Sequence, residues 1–400
     1  MITITSQPET GSILAAYLPI FYRVVVRDET AHVAPIVEAS VSVNGTLYAS
    51  FRVPYIESEL AGSDTDYSFD IDLAEVVQDA IRDVIPIPPI NAYYFARAPL
   101  TEISVEFSAW YDNGSGLLIE DTVNTEPGTD VFVVNAYRKA QEGAEMQPYA
   151  ENERLLLTRL PLSYELCKSN AFFLSVIDEI GGLGWEVKTY DAAGTETSAG
   201  MLYPDSAPKQ NIATLGAGWW QLQAVSLIPS FWQGFTVPVF STSVVRYTVQ
   251  PFLMPAERAI APKFTFYVSD NCCGHQFLFL NSFGVWEVLN VWEEETINYA
   301  VDGETFSSPR ALPSDAVYLQ AAQSQYLDKQ GQNILNFILP ESRDAWREFY
   351  KDFLASPEVY LIQGENLTPV LVGTGSYDIK RNHALSIQVT WSNNETSQRR

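Results

Sequence analysis

The residues best suited to chemistry gather in one short segment, "FLFLNSFGVWEVLNVWEEE" (277–295), where Glu293, Glu294 and Glu295 follow Trp286 and Trp292. Two facing carboxylates beside aromatic rings are the equipment of glycoside hydrolysis. On a strand, however, Glu293 and Glu295 share one face and Glu294 takes the other. Three adjacent acids cannot converge on one sugar. The segment reads better as a β-hairpin, with Phe277, Phe279 and Trp286 inward or at an interface, Gly284 permitting the turn and the acids forming a solvated end.

Other chemistries find less support. Cys272, Cys273 and His275 cluster, but adjacent thiolates do not both reach one tetrahedral ion comfortably, and no second Cys/His pair accompanies them. The chain has three histidines, His32, His275 and His383, far apart in sequence, and no Gly-X-Ser-X-Gly elbow. "GGLGWE" (181–186) and "LGAGWW" (215–220) contain glycines without the Lys-Ser/Thr of a phosphate loop, and read as turns. No catalytic, cofactor-binding or metal-binding set is expected, and the chain reads as non-enzymatic.

Binding through aromatic side chains is harder to dismiss than catalysis, although core packing is the default for any individual aromatic residue. "GAGWWQLQAVSLIPSFWQG" carries Trp219, Trp220 and Trp232, and with Trp286 and Trp292 these are the candidate glycan-binding or interface residues. If 219–220 lie on a strand, the two rings point to opposite faces, one into the core and one outward.

The elements that must position these residues are mostly strands. Aromatic residues make up 13% of the 400-residue chain, alongside many Val, Ile and Thr. "IFYRVVVRD", "PIVEASVSVNGTLYASFRVPY" and "EISVEFSAWYDNGSGLLIEDTV" alternate as strands or hairpins, with Asn44-Gly45 as a two-residue turn. Two helices interrupt them. In "DLAEVVQDAIRDVI", Leu73, Val76, Val77, Ala80, Ile81 and Val84 share a face, Asp72 caps, Glu75 reaches back and Pro86 stops the helix. In "SRDAWREFYKDFLASP", Ser342 caps, Trp346, Phe349, Tyr350, Phe353 and Leu354 form the apolar face, and Pro357 ends it.

The expected fold class is mainly β: multi-domain antiparallel β-sandwiches with a few short helices packed on them. A polar stretch at 138–153 and the prolines of 250–262 divide the chain into units 1–145, 146–258 and 259–400. The last two look duplicated: each has a cysteine, an aromatic strand, a Gly-containing turn, then Trp-Glu-Val. A hairpin with a buried tryptophan could give the same pattern without duplication.

There are 24 basic and 49 acidic residues, for a net charge of −25, which repels phosphate backbones and argues against direct nucleic-acid binding. Three cysteines, Cys167, Cys272 and Cys273, make no disulfide framework. The amino terminus lacks the pattern of a signal peptide, and no run of about 18 apolar residues suggests membrane insertion. Folding in a cytoplasm is the expectation, which makes Asn44, Asn113, Asn366 and Asn394 chance glycosylation sequons.

Three segments resemble a structural protein family of tailed phages that infect Bacteroidetes and marine bacteria. They are "VSVNGTLYASFRVPY…FDIDLAEVVQDAI", "FLFLNSFGVWE" after a cysteine, and "FLASPEVYLIQGENLTPVLVGTGSYDIKRNHALSIQVTW". The resemblance spans most of the first and third units and implies a virion protein of the tail or its tip. It implies an oligomer assembled in the host cytoplasm, with other virion proteins as partners and no catalytic residues. A receptor- or polysaccharide-binding module of the particle, or a head or neck protein, is the alternative.

Overall fold

The computed structural model describes residues 1–28, 33–61, 64–81, 87–90, 92, 94–112, 115, 117–136, 156–178, 182–202, 211–228, 237–253, 258–270, 274–291, 293–302, 305–307, 324–326, 330–339, 344–373 and 385–392. The fold is mainly β, built of several largely antiparallel sheets with three helices among the described residues. Two compact units are formed, one of residues 1–270 with 280–287, the other of 271–279 with 288–400.

The amino-terminal alternation produces β1 (Ile2–Ser6), β2 (Ile13–Ala15), β3 (Phe21–Asp28), β4 (Val33–Val43), β5 (Thr46–Pro54), β6 (Glu57–Ala61) and β7 (Asp64–Asp72). Helix α1 (Ala74–Ala80) follows, then β8 (Phe95–Pro99), β9 (Thr101–Asp112), β10 (Leu118–Pro127) and β11 (Val131–Val134). One sheet has the order β1-β3-β7-β6, and a second has β2-β11-β9-β4-β5 with β10 also on β9. Alternate side chains of both point inward: Tyr22, Val24, Phe69 and Ile71 meet Val37, Val41, Val105 and Phe107 in one buried cluster. This is a two-layer sandwich. Asn44 (φ 49°) and Gly45 (φ 75°) supply the two positive φ angles of the tight turn between β4 and β5.

Helix α1 closes this sandwich with Leu73, Val77 and Ile81, all buried in the same cluster. The capping carboxylate is that of Asp72, whose Oδ1 accepts from the amides of Ala74 and Ile20, each at 2.9 Å. Leu73 occupies the N-cap position itself. Val84 and the expected stop at Pro86 lie outside the described residues.

Directly opposed residues of β3 and β7 form two forked ion pairs, Arg23–Asp70 (2.6 and 2.7 Å) and Arg27–Asp66 (both 2.7 Å). Each arginine's hydrogen bonds hold its aspartate below the ordinary carboxylate range. A depressed folded-state pKa stabilises above the unfolded value and is lost as pH falls through the folded one. Both pairs are solvent-exposed, so the effect is small and screened. Replacing both aspartates with Asn is expected to flatten the acid limb of the stability curve at low salt and change little in high salt. An unchanged acid limb at low salt would remove the pairs from the account.

Tyr22 shows the opposite sign. Burial pushes its phenol up to about 12, although its hydroxyl donates to the Thr129 carbonyl at 3.2 Å. Its contribution is intact below the unfolded value near 10 and is lost as pH rises towards the folded one. Tyr22→Phe should therefore remove about 2 kcal/mol of the stability loss between about pH 10 and 12, as read by urea unfolding at fixed pH values. An identical alkaline slope in the variant would refute this assignment.

The next stretch forms β12 (Ser163–Cys167), β13 (Phe173–Asp178), β14 (Leu183–Tyr190), β15 (Glu196–Leu202) and β16 (Asn211–Gly216). Helix α2 (Trp219–Ser226) precedes β17 (Arg246–Leu253), β18 (Arg258–Ala259) and β19 (Phe264–Ser269). The sheets run β12-β19-β17-β14-β15, with β18 on β17, and β13-β16-β8. Strand β8 thus pairs in full register with β16, from Asn211↔Pro99 to Leu215↔Phe95. A shared core cluster, including Ile13, Leu100, Val134, Leu157, Ile177 and Ile212, continues across the same ranges.

The sequence pattern suggested that 172–190 is a hairpin matching 277–291. Instead β13 pairs with β16, while β14 pairs with β15 and β17. The two segments therefore do not share a pairing scheme.

The remaining strands are β20 (His275–Leu280), β21 (Trp286–Val291), β22 (Glu293–Asp302), β23 (Thr305–Ser307), β24 (Ser324–Tyr326) and β25 (Gln330–Leu339). Helix α3 (Asp344–Ala355) leads to β26 (Val359–Gln363), β27 (Asn366–Pro369), β28 (Leu371–Val372) and β29 (Leu385–Ser392). Four-stranded sheets have the orders β21-β20-β26-β27 and β22-β25-β29-β28, and β23 pairs with β24. In the second unit, α3 supplies Phe349 and Phe353 to an aromatic core with Phe277 and Phe279 of β20 and Phe337 of β25. Tyr350 is also buried, Trp346 and Leu354 are half-buried, and Ser342 lies outside the described residues.

Candidate functional site

The segment 277–291 is the expected hairpin, with β20 and β21 adjacent in one sheet. Its turn is organised by Asn281. The Asn281 amide donates to the Val285 carbonyl (2.9 Å), and its Oδ1 accepts from the amides of Phe283 (2.9 Å) and Val285 (3.1 Å). Gly284 has φ 73°. The turn belongs to the first unit: Asn281 Nδ2 donates to the Leu157 carbonyl at 2.8 Å, and Val285 enters the cluster with Leu157 and Val134. Arg159 lies over the Phe283 ring at 5.0 Å. The acids are not the end of this hairpin. Glu293–Glu295 open β22, which pairs with β25 from Glu293↔Ile338 onwards, with a bulge before Thr296.

The five candidate tryptophans do not form one platform. Trp219 and Trp220 are on α2, not on a strand, so the condition for strand-like opposition of their rings is not met. Gln221 anchors that helix: its Oε1 accepts from the amides of Gly218 (2.9 Å) and Phe172 (3.0 Å). Trp219 is 5% exposed and meets Phe240 edge-on at 5.0 Å, Tyr247 at 6.2 Å, and the Lys168 ammonium at 5.7 Å. Tyr247 is itself buried, stacked on Phe266 at 4.9 Å, and donates to the Ala217 carbonyl at 2.8 Å; burial pushes its phenol well up.

Trp219 is therefore a core ring. Trp286 is too, at 5% exposure. Trp220 is half-buried, and Trp232 and Trp292 lie outside the described residues. Trp286→Ala is expected to cost about 3–5 kcal/mol in denaturant melts, whereas Leu227→Ala, at a position 79% exposed, should leave stability nearly unchanged. The reverse ranking would overturn the burial-based account.

The surface that the structure does present lies where β5 ends one sheet of the amino-terminal sandwich and β6 ends the other. Leu47 (63%), Tyr48 (45%), Tyr55 (39%) and Ile56 (57%) are exposed on and between these strands. Beside β5 a groove of about 410 Å³ is lined by Ala49, Ser50 and Phe51 of β5, Asp72 of β7, and Glu75 and Val76 of α1. The Tyr48 hydroxyl donates to the Asp79 carboxylate at 2.6 Å, joining the strand to the helix. On the strand's other face Arg52 pairs with Glu38 at 2.7 Å and stacks on Trp110 at 3.8 Å. These residues escape sequence reading because their proximity depends on β5 folding over α1; only the consecutive Tyr55-Ile56 hints at an exposed apolar surface.

Cys167 is buried, while Cys272 and Cys273 lie outside the described residues. Among the described residues no group of three His, Cys, Asp or Glu side chains is placed to hold a metal ion, and no helix is long and apolar enough to cross a membrane.

No protein-family model matches the chain, and no curated protein matches it. Among solved structures it is similar to extracellular domains 3–5 of Drosophila OTK, at 10% identity and a TM-score of 0.18, over 84% of this chain and 91% of that one. It is also similar to a Bifidobacterium dentium β-glucuronidase complexed with coumarin-3-O-glucuronide, at 11% identity and a TM-score of 0.11, over 67% of this chain and 41% of that one. Superpositions this loose carry no argument about what the chain does.

Proposed function

We propose that this chain is a non-enzymatic structural subunit of a larger protein assembly, specifically a tail-associated component of a tailed-phage virion. The supporting observation is the edge strand β5 with exposed apolar pairs at its two ends, Leu47-Tyr48 and Tyr55-Ile56. Exposed strand edges with aromatic neighbours are a common means by which subunits recognise one another. The three segments resembling phage structural proteins add the virion context, and an acidic surface limits association with a packaged genome. Assembly takes place in the host cytoplasm, into a homo-oligomer alongside other virion proteins.

Immunogold electron microscopy of purified particles, with an antibody to this chain, tests the reading. Gold at the tail end is the expected result. Gold at the head or neck would keep the virion role and overturn the tail station, and particles without the protein would overturn both.

A further inference from the structure

We propose that the β5 edge and its groove bind a short extended segment of a partner protein, with lysine or arginine at alternate positions, by adding a strand to the sheet. This deepens the subunit reading above and rests on it for its biological setting.

The geometry defines both the length and the chemistry of the occupant. Strand β5 ends its sheet, and among the described residues no strand pairs with its outer side. Such an edge presents unpaired amides and carbonyls that an incoming strand can satisfy. Regular pairing with β4 runs from Ala49↔Val41 to Val53↔Val37; Tyr48 is a bulged residue at one end and Pro54 stands at the other. Bulges and prolines interrupt strand addition. The available template is therefore the short run Ala49–Val53, and the groove lies beside its first three residues.

Charge selects the side chains. The groove is lined by the apolar Ala49, Phe51 and Val76 together with Ser50 and the acidic Asp72 and Glu75. Asp79 lies in α1 beyond them, and Glu57 and Glu59 are in β6. The nearby cation, Arg52, is matched by Glu38. An aliphatic stem lying over Phe51 with its cationic head at Glu75 satisfies both features, which is how lysine and arginine cover apolar surface. Strand periodicity then places such residues at every second position. A second copy of this chain offers a poorer strand for this edge, since its own β5 carries a single cation, Arg52, already matched by Glu38.

The test uses the full chain and a capped seven-residue peptide alternating threonine and lysine. Binding is measured by calorimetry, and amide exchange of residues 46–54 is followed with and without the peptide. Saturable binding that slows exchange in 49–53 is expected. Affinity should fall at least about tenfold when glutamate replaces lysine in the peptide, or when Glu75→Lys is made in the protein. The remote exposed substitution Glu196→Lys, which changes net charge equally, should leave affinity within about twofold. Methylating alternate peptide nitrogens on the pairing side should abolish binding, since it removes the ladder donors.

Absence of binding overturns the proposal. So do equal losses for Glu75→Lys and Glu196→Lys, binding that survives methylation, or protection that appears elsewhere. Concentration-dependent self-association that protects 49–53 without peptide would assign the edge to a second copy and also overturn it. None of these outcomes alters where gold is found on particles, so the two readings fail separately.

Discussion

Gly284→Ala is expected to destabilise the protein by about 3–5 kcal/mol. Two costs combine. At φ 73° an L side chain meets the left-handed penalty of about 1–2 kcal/mol. A Cβ built there would also lie 1.8 Å from the Asn135 carbonyl oxygen and 2.4 Å from its carbon, both backbone atoms that cannot rotate away. The turn must lift, pulling Val285 out of its cluster and stretching the bond from Asn281 to Leu157.

Gly194→Ala separates the two costs. Its φ is 82°, but nothing lies within 4 Å of the added carbon. That variant should lose only about 1–2 kcal/mol. Urea unfolding of both variants gives the comparison, and equal losses would mean that the close approach to Asn135 does not exist in solution.

Phe353→Ala is expected to cost a similar amount, about 3–5 kcal/mol, through cavity formation. The ring is fully buried and contacts Phe279 edge-on at 5.4 Å, Phe277 at 5.7 Å and Phe337 at 6.4 Å. Its loss removes three ring contacts together with the burial that holds α3 in place. Trp346→Ala, at a half-buried position of the same helix, should cost less. Amide exchange in β20 and β25 should accelerate in Phe353→Ala more than in Trp346→Ala. If Trp346 proves the costlier site, the aromatic core has been centred on the wrong residue.

Much of the fold was legible because the local signals agreed with one another. Strand alternation runs through β3, β4 and β5, with Asn44-Gly45 breaking it between the last two, and α1 and α3 keep an apolar stripe at helical spacing. Helix α2 was missed because it has little polar face: Trp219, Leu222 and Val225 are buried, and so is Gln221. A helix covered on several sides loses the periodicity that identifies it. Strand β13 is buried at every position from Phe173 to Asp178. Such a run announces a strand without naming its partner, which is why its hairpin assignment failed. Tryptophan positions were legible as aromatic but not as exposed, since the exposure of Trp219 depends on Phe240 and Tyr247, both distant in sequence.

The assignment of residues 280–287 to the first unit bears on how the chain is made. During synthesis the first 270 residues emerge without Val285, Asn281 and Gly284, so the cluster around Leu157 stays open on the nascent chain. Folding of that unit can finish only after the ribosome has passed well beyond residue 287, when part of the other unit has already been translated. The Asn281–Leu157 bond closes a separation of 124 residues, and so long a loop makes a late event of it. A gene shortened at residue 270 would release a chain with an apolar opening where the turn belongs, exposed to chaperones and proteases from the moment it leaves the ribosome.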